Sequence, residues 1–474
     1  MAESIKGKRI VILGLARQGT ALARWAARSG AIVTVSDVRS ADALEDAISS
    51  LDGFPIRYVL GSHPLELLDD CDLLCLSGGV PTSLPIVAEA RKRGIPLSND
   101  TLLFLERSPA PVVGITGSSG KTTTTTLVGE MLKASGHKTW VGGNIGLPLI
   151  DHLDEIRSTD KVVLELSSFQ LELYDRSPQV ASVLNVTPNH LDRHPSMSHY
   201  TAAKANILKW QAESDYAVLG ADNYVTGKWL AERKVQIPAG EGQPEVDFPI
   251  RSRTYGFSLN EMGSEGAFKN MDGDLILSLE GESEVICHRS DLKLRGEHNV
   301  ANVLAAALTA KLAGATIDGI RKAATTFEGV PHRLEEVRRW KGALWINDSI
   351  ATTPERAIAA LKSFDEPIIL LSGGRDKHLP WGEFSRLVHE KVKHLILFGE
   401  AAELIAGNVA KVESGSSSLR SITMCNSLEE AVQKAAEKAE PGDVVLLSPG
   451  GTSFDAYRDF AERGEHFRKL VQEL

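Results

Sequence analysis

Cysteine is scarce in this chain. Its four cysteines fit no metal-ligand spacing, and two of them, Cys71 and Cys75 in "DDCDLLCLSGG", flank an apolar run where small thiols are commonly core residues. No stretch of about 18 consecutive apolar residues occurs, which excludes a membrane-spanning helix. Positive charge is also in short supply. Fifty-two Lys and Arg stand against 62 Asp and Glu, a formal charge of −10, so the counterion replacement that drives non-specific nucleic-acid binding is not expected. Small anionic ligands are not excluded, because a few local cations and backbone N–H groups suffice to grip them. No Asn-Lys dipeptide occurs, so the guanine-reading N-K-x-D element of switch GTPases is missing. The start "MAESIKGKRIVILGL" runs from a short charged leader into a strand rather than a signal peptide, and a cytoplasmic protein is expected.

At 474 residues the length suggests about three domains, each able to bury a core. Short apolar runs alternate with helical patterns, the arrangement of parallel sheets with crossover helices. Strands are expected at "RIVILGL", "AIVTVSD", "IRYVLG" and "DLLCLS", then at "VVGITG", "KVVLELSS", "VASVLNV" and "DYAVLG". From about Arg251 to Ser290, "RTYGFSL" and "DLILSLEGESEVICH" alternate and are rich in turns, which suggests an antiparallel meander. The α/β alternation resumes with "GALWINDS", "PIILLSGG", "HLILFG" and "DVVLLSPGG", and a last helix is expected from about Asp455. Proline-containing polar connections at "ERSPAPV" and "EGVPHR" set the boundaries: 1–107, 108–328 and 329–474. The expected fold is α/β in three domains: a Rossmann-like N-terminal domain, a central P-loop ATPase-type domain with a mostly parallel sheet and a small antiparallel meander, and a Rossmann-like C-terminal domain.

The most informative stretch is "VVGITGSSGKTTTTTLVGEML". The common P-loop reads G-x-x-x-x-G-K-[ST], yet Ile115 stands five positions before Gly120, so only the shorter T-G-x-x-G-K-T is present. Its physics survives the shortening. Gly117, Ser118, Ser119 and Gly120 let backbone N–H groups approach phosphate oxygens, the following helix adds its positive end, Lys121 reaches terminal phosphates, and Thr122 offers a hydroxyl to Mg²⁺. Five consecutive threonines, Thr122 to Thr126, are poor helix formers, which is easier to understand if their hydroxyls have a task. Glu165 ends one later strand and "NVTPNHLDRH" ends the next, with His190 and Asp192. Both strand ends are expected near the triphosphate, because ligands gather at the carboxyl ends of parallel strands.

With "TGSSGKTTT", "LELSSFQL", "NVTPNHLDRH", "GEHNVANVLAA", "GVPHRLE", "NDSIATTPE" and "SPGGTSFDAYRDFAERGEHF" in order, the chain resembles the Mur ligases of peptidoglycan synthesis over essentially its whole length. The final segment and the first domain favour the D-glutamate-adding branch. The resemblance implies that the first domain holds a UDP-sugar substrate, the central one ATP, and the last the incoming amino acid. It implies an ATP-dependent ligase in which a terminal carboxylate of UDP-N-acetylmuramoyl-L-alanine is phosphorylated and then attacked by the amine of D-glutamate. A carboxylate is a poor electrophile until one oxygen becomes a good leaving group, and the charge that accumulates calls for cations rather than covalent help.

The same resemblance assigns residues. Lys121, Thr122 and Thr123 contact phosphates and Mg²⁺, and Glu165 and His190 stand at metal sites for two ions. Lys204 matches a lysine that family members carry as a carbamate, which would turn a repelling ammonium into an anionic oxygen ligand. Asn299, Asn302, Arg333 and Asp348 match nucleotide contacts, Arg333 being suited to the γ-phosphate. Substrate positions are Arg17, Gln18, Asp37, Arg39, Ser77 and Asn144, together with His190. Gly14 and Gly19 form a G-x-x-x-x-G turn with Ala16 at the middle-glycine position, an imperfect dinucleotide fingerprint. Thr352, Lys377, Ser453 and Phe460 match D-glutamate contacts, Ser453 preceding a last helix whose N-terminus favours an anion. The chain departs from the family at "NDSIAT", where Ile350 replaces a lysine, and at "GGRDKH", where Arg375, Asp376 and Lys377 compete for the ligand-facing role.

The resemblance implies small-molecule substrates; charge and the lack of a long apolar run speak against nucleic acid and membrane as partners, and a monomer is the default expectation, since the sequence carries no signal of oligomeric state. Three other readings remain open at this stage. One is another Mur ligase or a folylpolyglutamate synthase with a different amino acid. A second is a nicotinamide-dependent oxidoreductase, suggested by two Rossmann-like units, although it leaves the phosphate loop unexplained. A third, a nucleotide-driven binding module, leaves the third domain without a role.

Overall fold

The computed structural model describes residues 4–188, 194–241, 243–376, 379–412 and 417–474. Contacts divide the chain into two compact units that meet in sequence between Phe327 and Glu328.

The first unit carries two large sheets. The N-terminal one has five strands, all parallel, in the spatial order Ile56–Leu60, Ile32–Asp37, Arg9–Leu13, Leu73–Leu76, Leu97–Ser98. The order reverses at Arg9–Leu13, so the loops after that strand and after Leu73–Leu76 diverge and leave a crevice at their carboxyl ends. Gly14 and Ser77 stand there. The second sheet has nine strands, with Val112–Thr116 third from one edge, between Lys161–Glu165 and Val180–Val183, both parallel to it. Every residue of Val112–Thr116 is buried, as a central strand covered by helices on both faces requires.

The antiparallel part is smaller than the alternation of "RTYGFSL" suggests. Arg253–Ser258 pairs parallel with Tyr216–Gly220 on one side and with Gly266–Lys269 on the other; antiparallel pairing is confined to Asp274–Leu279 with its two neighbours, Gly266–Lys269 and Glu282–His288. Alternation reports one covered face and carries no information on strand direction. A two-stranded antiparallel ribbon, Lys234–Ile237 with Val246–Pro249, stands apart.

The second unit holds a six-stranded sheet in the order Glu335–Trp340, Ala343–Asn347, Val444–Gly450, Ile368–Gly373, Val392–Phe398, Ser421–Met424. Only the first strand is antiparallel. The last helix begins at Phe460, five residues later than the pattern from Asp455 suggests, because Asp459 is its N-cap and accepts from Glu462 N. That carboxylate takes up the anion-favouring end of the helix, so Ser453 draws no support from it.

The helix Lys121–Ala134 starts with the threonine run and ends apolar. Its five threonines cost up to about 0.7 kcal/mol each relative to alanine. Leu127, Val128, Met131 and Leu132 are wholly buried, and at roughly 1.5–3 kcal/mol per side chain they outweigh that cost. Of the hydroxyls, that of Thr122 faces Glu165 beside the loop, whereas that of Thr126 donates back to Thr122 O at 2.9 Å.

Candidate active site

The turn between Val112–Thr116 and the helix beginning at Lys121 is built around Gly120. Its φ is +80°, a left-handed conformation, and a Cβ added there would lie 2.3 Å from Asn302 Oδ1. The helix has no side-chain cap, so the backbone N–H groups of its first turn are left for an anion. Struts outside the turn hold it. Ser118 is buried; its hydroxyl donates to Thr187 O at 3.0 Å and meets Tyr200 Oη at 2.9 Å. Ser119 N donates to Asn185 Oδ1 at 2.9 Å. Asn185 and Tyr200 escaped the sequence reading, although Asn185 follows a strand paired with Val112–Thr116, which was the available signal.

Charged groups converge on this turn. Thr122 Oγ1 donates to Glu165 Oε2 at 2.8 Å, and Asn144 Nδ2 donates to Glu165 Oε1 at 2.9 Å, so both oxygens of this buried carboxylate are oriented. Lys121 Nζ reaches Gly117 O at 2.8 Å, and Lys204 Nζ reaches the same carbonyl at 2.9 Å and Thr116 Oγ1 at 3.4 Å. Lys204 is only 1 % exposed. Burial, and next the charge of Lys121, push its pKa well below the ordinary lysine value; Glu165 opposes the shift. The hydroxyl of Thr122 and the carboxylate of Glu165 are hard oxygen donors beside a phosphate-type loop, the donor chemistry that suits Mg²⁺. Thr124 Oγ1 lies 3.5 Å from Asn302 Oδ1, Asn302 Nδ2 donates to Asn299 Oδ1 at 3.0 Å, and Thr123 is buried in the helix. His190 and Asp192 lie outside the described residues.

The crevice of the N-terminal sheet adjoins this cluster. Arg17 NH2 donates to Asn144 O at 3.2 Å; Gln18 Nε2 donates to Gly143 O at 3.3 Å, and Gln18 Oε1 accepts from Gly78 N at 3.1 Å. Asn144 thus joins the first sheet's loop, through its carbonyl, to Glu165, through its amide. Gly19 packs so closely that a Cβ would lie 1.9 Å from Gly14 O. Asp37 is buried, and burial alone would raise its pKa; the Arg39 side chain and the N–H groups of Leu15 and Arg39 outweigh this and hold it at about 2. Its oxygens accept from the turn and from Arg39, so the carboxylate fixes Arg39 at the end of the strand Ile32–Asp37. Ser77 is buried and lines a small recess with Gly78, Thr82, Asn99, Phe169 and Gln170. Gln170 Oε1 accepts from Ser167 N and Oγ, both at 2.9 Å, and the Gln170 side chain also interacts with the buried Asp100 carboxyl. Ser167 and Gln170, a capping pair that the sequence reading overlooked, thereby fix this wall of the recess.

In the second unit Asp348 is buried and accepts from Ser448 Oγ at 2.8 Å and Leu334 N at 3.2 Å; burial raises its pKa to about 7. Arg333 lies between two non-glycine residues in the left-handed region, His332 at φ +63° and Leu334 at +46°. Strain of roughly 1–2 kcal/mol at each is characteristic of functional loops. The fully buried Arg463 gathers the neighbouring loops: its guanidinium donates to Ser349 Oγ at 3.0 Å, Ser349 O at 2.9 Å and Gly451 O at 3.3 Å. Ser349 Oγ donates in turn to Phe460 O at 2.8 Å. The segments bearing Thr352, Ser453 and Phe460 are thereby tied together around one cation. Arg375 forms a two-pronged pair with Glu400, at 2.8 and 2.9 Å, and Asp376 accepts from Trp381 Nε1 at 3.0 Å. Lys377 lies outside the described residues. Beside Ile350, Arg356 NH1 donates to the Ile350 carbonyl at 3.2 Å and places a cation against the segment.

A short phosphate loop, an oriented acid, a buried low-pKa lysine and an adjoining substrate crevice define a nucleotide-dependent ligase rather than a dinucleotide oxidoreductase. Residues 8–99, 115–310 and 332–451 match, respectively, the Mur ligase MurD-like N-terminal domain, the Mur ligase middle domain and the Mur ligase glutamate ligase domain. The chain is 41% identical to the UDP-N-acetylmuramoylalanine–D-glutamate ligase of Acetivibrio thermocellus, covering 100% of this chain and 98% of the relative. It is 43% identical to the enzyme of that name from Symbiobacterium thermophilum, covering 98% of each. Among solved structures, UDP-N-acetylmuramate-alanine ligase MurC from Thermotoga maritima shares the fold at a TM-score of 0.56 and 19% identity, over 98% of this chain and 99% of that one. The MurF ligase of Thermotoga maritima in complex with ADP does so at 0.54 and 19%, over 99% and 96%. The chain belongs to the Mur ligase family.

Proposed function

We propose that this chain joins D-glutamate to UDP-N-acetylmuramoyl-L-alanine in peptidoglycan precursor synthesis, with cleavage of ATP to ADP and phosphate. The observation that carries the reading is the line of hydrogen bonds from Thr122 through Glu165 and Asn144 to Arg17, which runs from the phosphate loop to the crevice of the first sheet. A substrate anchored at that crevice presents its far carboxylate toward the phosphates. The substrate names of relatives 36–43% identical over the full length support the same assignment.

In this reading residues 1–107 hold the UDP-sugar, 108–328 ATP, and 329–474 D-glutamate. Gly117, Ser118, Ser119, Gly120, Lys121, Thr122 and Thr123 hold the phosphates, with Asn299, Asn302, Arg333 and Asp348 on the rest of the nucleotide. The L-alanine carboxylate attacks the γ-phosphorus, the bond to the bridging oxygen breaks, and ADP departs. The neutral amine of D-glutamate then attacks the acyl carbon, loses a proton, and expels inorganic phosphate. Thr122, Glu165, His190 and Lys204 would hold two Mg²⁺ ions, which neutralise charge on the transferring phosphoryl group. Lys204 acts as a carbamate: its buried, readily deprotonated amine is suited to adding CO₂, and the product exchanges a cation crowding Lys121 for an anion. Arg17, Gln18, Asp37, Arg39, Ser77, Asn144 and His190 bind the UDP-sugar, and Thr352, Lys377, Ser453 and Phe460 bind D-glutamate. The enzyme acts as a cytoplasmic monomer. Among the described residues no helix is long and apolar enough to cross a membrane. Amino-acid selectivity tests the assignment: D-glutamate is expected to support product formation, and a clear preference for L-lysine, diaminopimelate or L-glutamate would overturn it.

A further inference from the structure

Outside the candidate active site, Glu172, His194 and His199 bring three potential ligand atoms within 4.8 Å of one another. His194 Nδ1 lies 3.0 Å from His199 Nδ1 and 3.2 Å from Glu172 Oε1, and His199 Nδ1 lies 3.9 Å from that oxygen. Ligands about 2.05 Å from a tetrahedral ion are separated by about 3.3–3.4 Å, so this triangle approximates one face of a zinc site. The groups behind the donors are fixed as well. Ser168 Oγ meets His194 Nε2 at 2.8 Å, on the ring atom opposite the cluster, and Thr82 Oγ1 donates to Glu172 Oε2 at 2.6 Å, on the second carboxylate oxygen. The His194 ring is 1 % exposed and stacks on Phe169 with centroids 4.9 Å apart and planes 4° from parallel. Orienting hydrogen bonds of this kind are what ligating imidazoles and carboxylates ordinarily carry.

We propose that Glu172, His194 and His199 bind a divalent ion of the zinc class, with water in the fourth position. Two imidazoles and one carboxylate suit Zn²⁺ and Co²⁺ better than the oxygen-preferring Mg²⁺. The ion clamps segments that carry the candidate catalytic groups: Glu172 follows the strand ending at Glu165, His194 follows His190 by four residues, and His199 occupies the first turn of the helix bearing Lys204. It acts as a structural staple, and its binding requires neither ATP nor substrate.

The full-length protein, stripped with a chelator, is loaded with Zn²⁺ or Co²⁺, dialysed without nucleotide, and assayed by elemental analysis and visible absorption. One ion per chain and tetrahedral Co²⁺ bands are expected. His199→Ala, at a partly exposed position, and Glu172→Gln should each weaken binding by more than about 100-fold and abolish the bands, because second-sphere changes alone cost about 10–100-fold. Ser168→Ala should weaken it by about 10–100-fold. Glu165→Gln should bind as the wild type does. Wild-type zinc no greater than that of the His199→Ala/Glu172→Gln double variant would overturn the proposal. So would loss of the ion in Glu165→Gln with retention in the cluster variants, which would assign it to the phosphate loop.

Discussion

The Thr122 hydroxyl donates to the Glu165 carboxylate across 2.8 Å, joining the first turn of the phosphate-loop helix to the end of the neighbouring strand. In the proposed mechanism these two oxygen donors hold Mg²⁺ beside the phosphates. Thr122→Ala and Glu165→Gln should each lower kcat by about 100-fold or more. Circular dichroism should stay that of the wild type. Turnover within a few-fold of wild type in either variant would remove the pair from the mechanism.

Lys204 and Lys121 share the Gly117 carbonyl, and a second ammonium in so confined a place repels the first. Lys204→Ala should therefore abolish turnover while the chain remains folded, and formate or acetate should restore part of it by supplying the lost oxygen ligand. Lys204→Arg, which keeps a cation that cannot form a carbamate, should not respond to these anions. Equal activity of Lys204→Arg and wild type would contradict the carbamate.

At Gly120 the left-handed backbone and the nearby Asn302 Oδ1 both oppose a side chain. Gly120→Ala should cost about 1–2 kcal/mol from the backbone conformation alone. It should also raise the KM for ATP by about tenfold or more. Titration with ADP by calorimetry checks this without turnover.

Arg463 is wholly buried, and burial lowers its pKa to about 10, so it remains charged at neutral pH. Arg463→Met leaves the Ser349 and Gly451 carbonyls without their donor, at about 1–3 kcal/mol each. The thermal midpoint should fall, and the KM for D-glutamate should rise more than that for ATP. An unchanged D-glutamate KM would separate Arg463 from the loop that it ties.

Asp348 gives a pH signature. Its folded pKa of about 7 stands above the ordinary 3.8, so between those values the folded chain keeps a proton that the unfolded chain has released. This contribution to stability is present below about pH 4 and is lost as pH rises toward 7. Asp348→Asn should flatten that part of the profile of midpoint against pH; an identical slope in variant and wild type would contradict the assignment.

The parallel sheets and the phosphate loop were legible in the sequence because buried strands require continuous Val, Ile and Leu runs, and a phosphate loop requires its glycines and lysine at fixed spacing. Strand direction in "RTYGFSL" was not, since alternation encodes exposure alone. Nor was the start of the last helix, which depends on the Asp459 cap. Of the candidate site, Thr122 was marked by the phosphate-loop motif, Glu165 by its place at a strand end, and Lys204 by the family resemblance alone; the structure places all three beside the phosphate loop. Asn185, Tyr200, Ser167 and Gln170 escaped because their roles arise from hydrogen bonds between segments distant in the chain. Arg463 escaped for the same reason: as a letter it is one more basic residue on an amphipathic helix.

Phosphate release from ATP and Mg²⁺ tests the central claim most directly, with UDP-N-acetylmuramoyl-L-alanine and D-glutamate present and each then omitted in turn. The account predicts release only when all components are present, with product formed in equal amount. Sustained release without D-glutamate, or none with the full set, would contradict it.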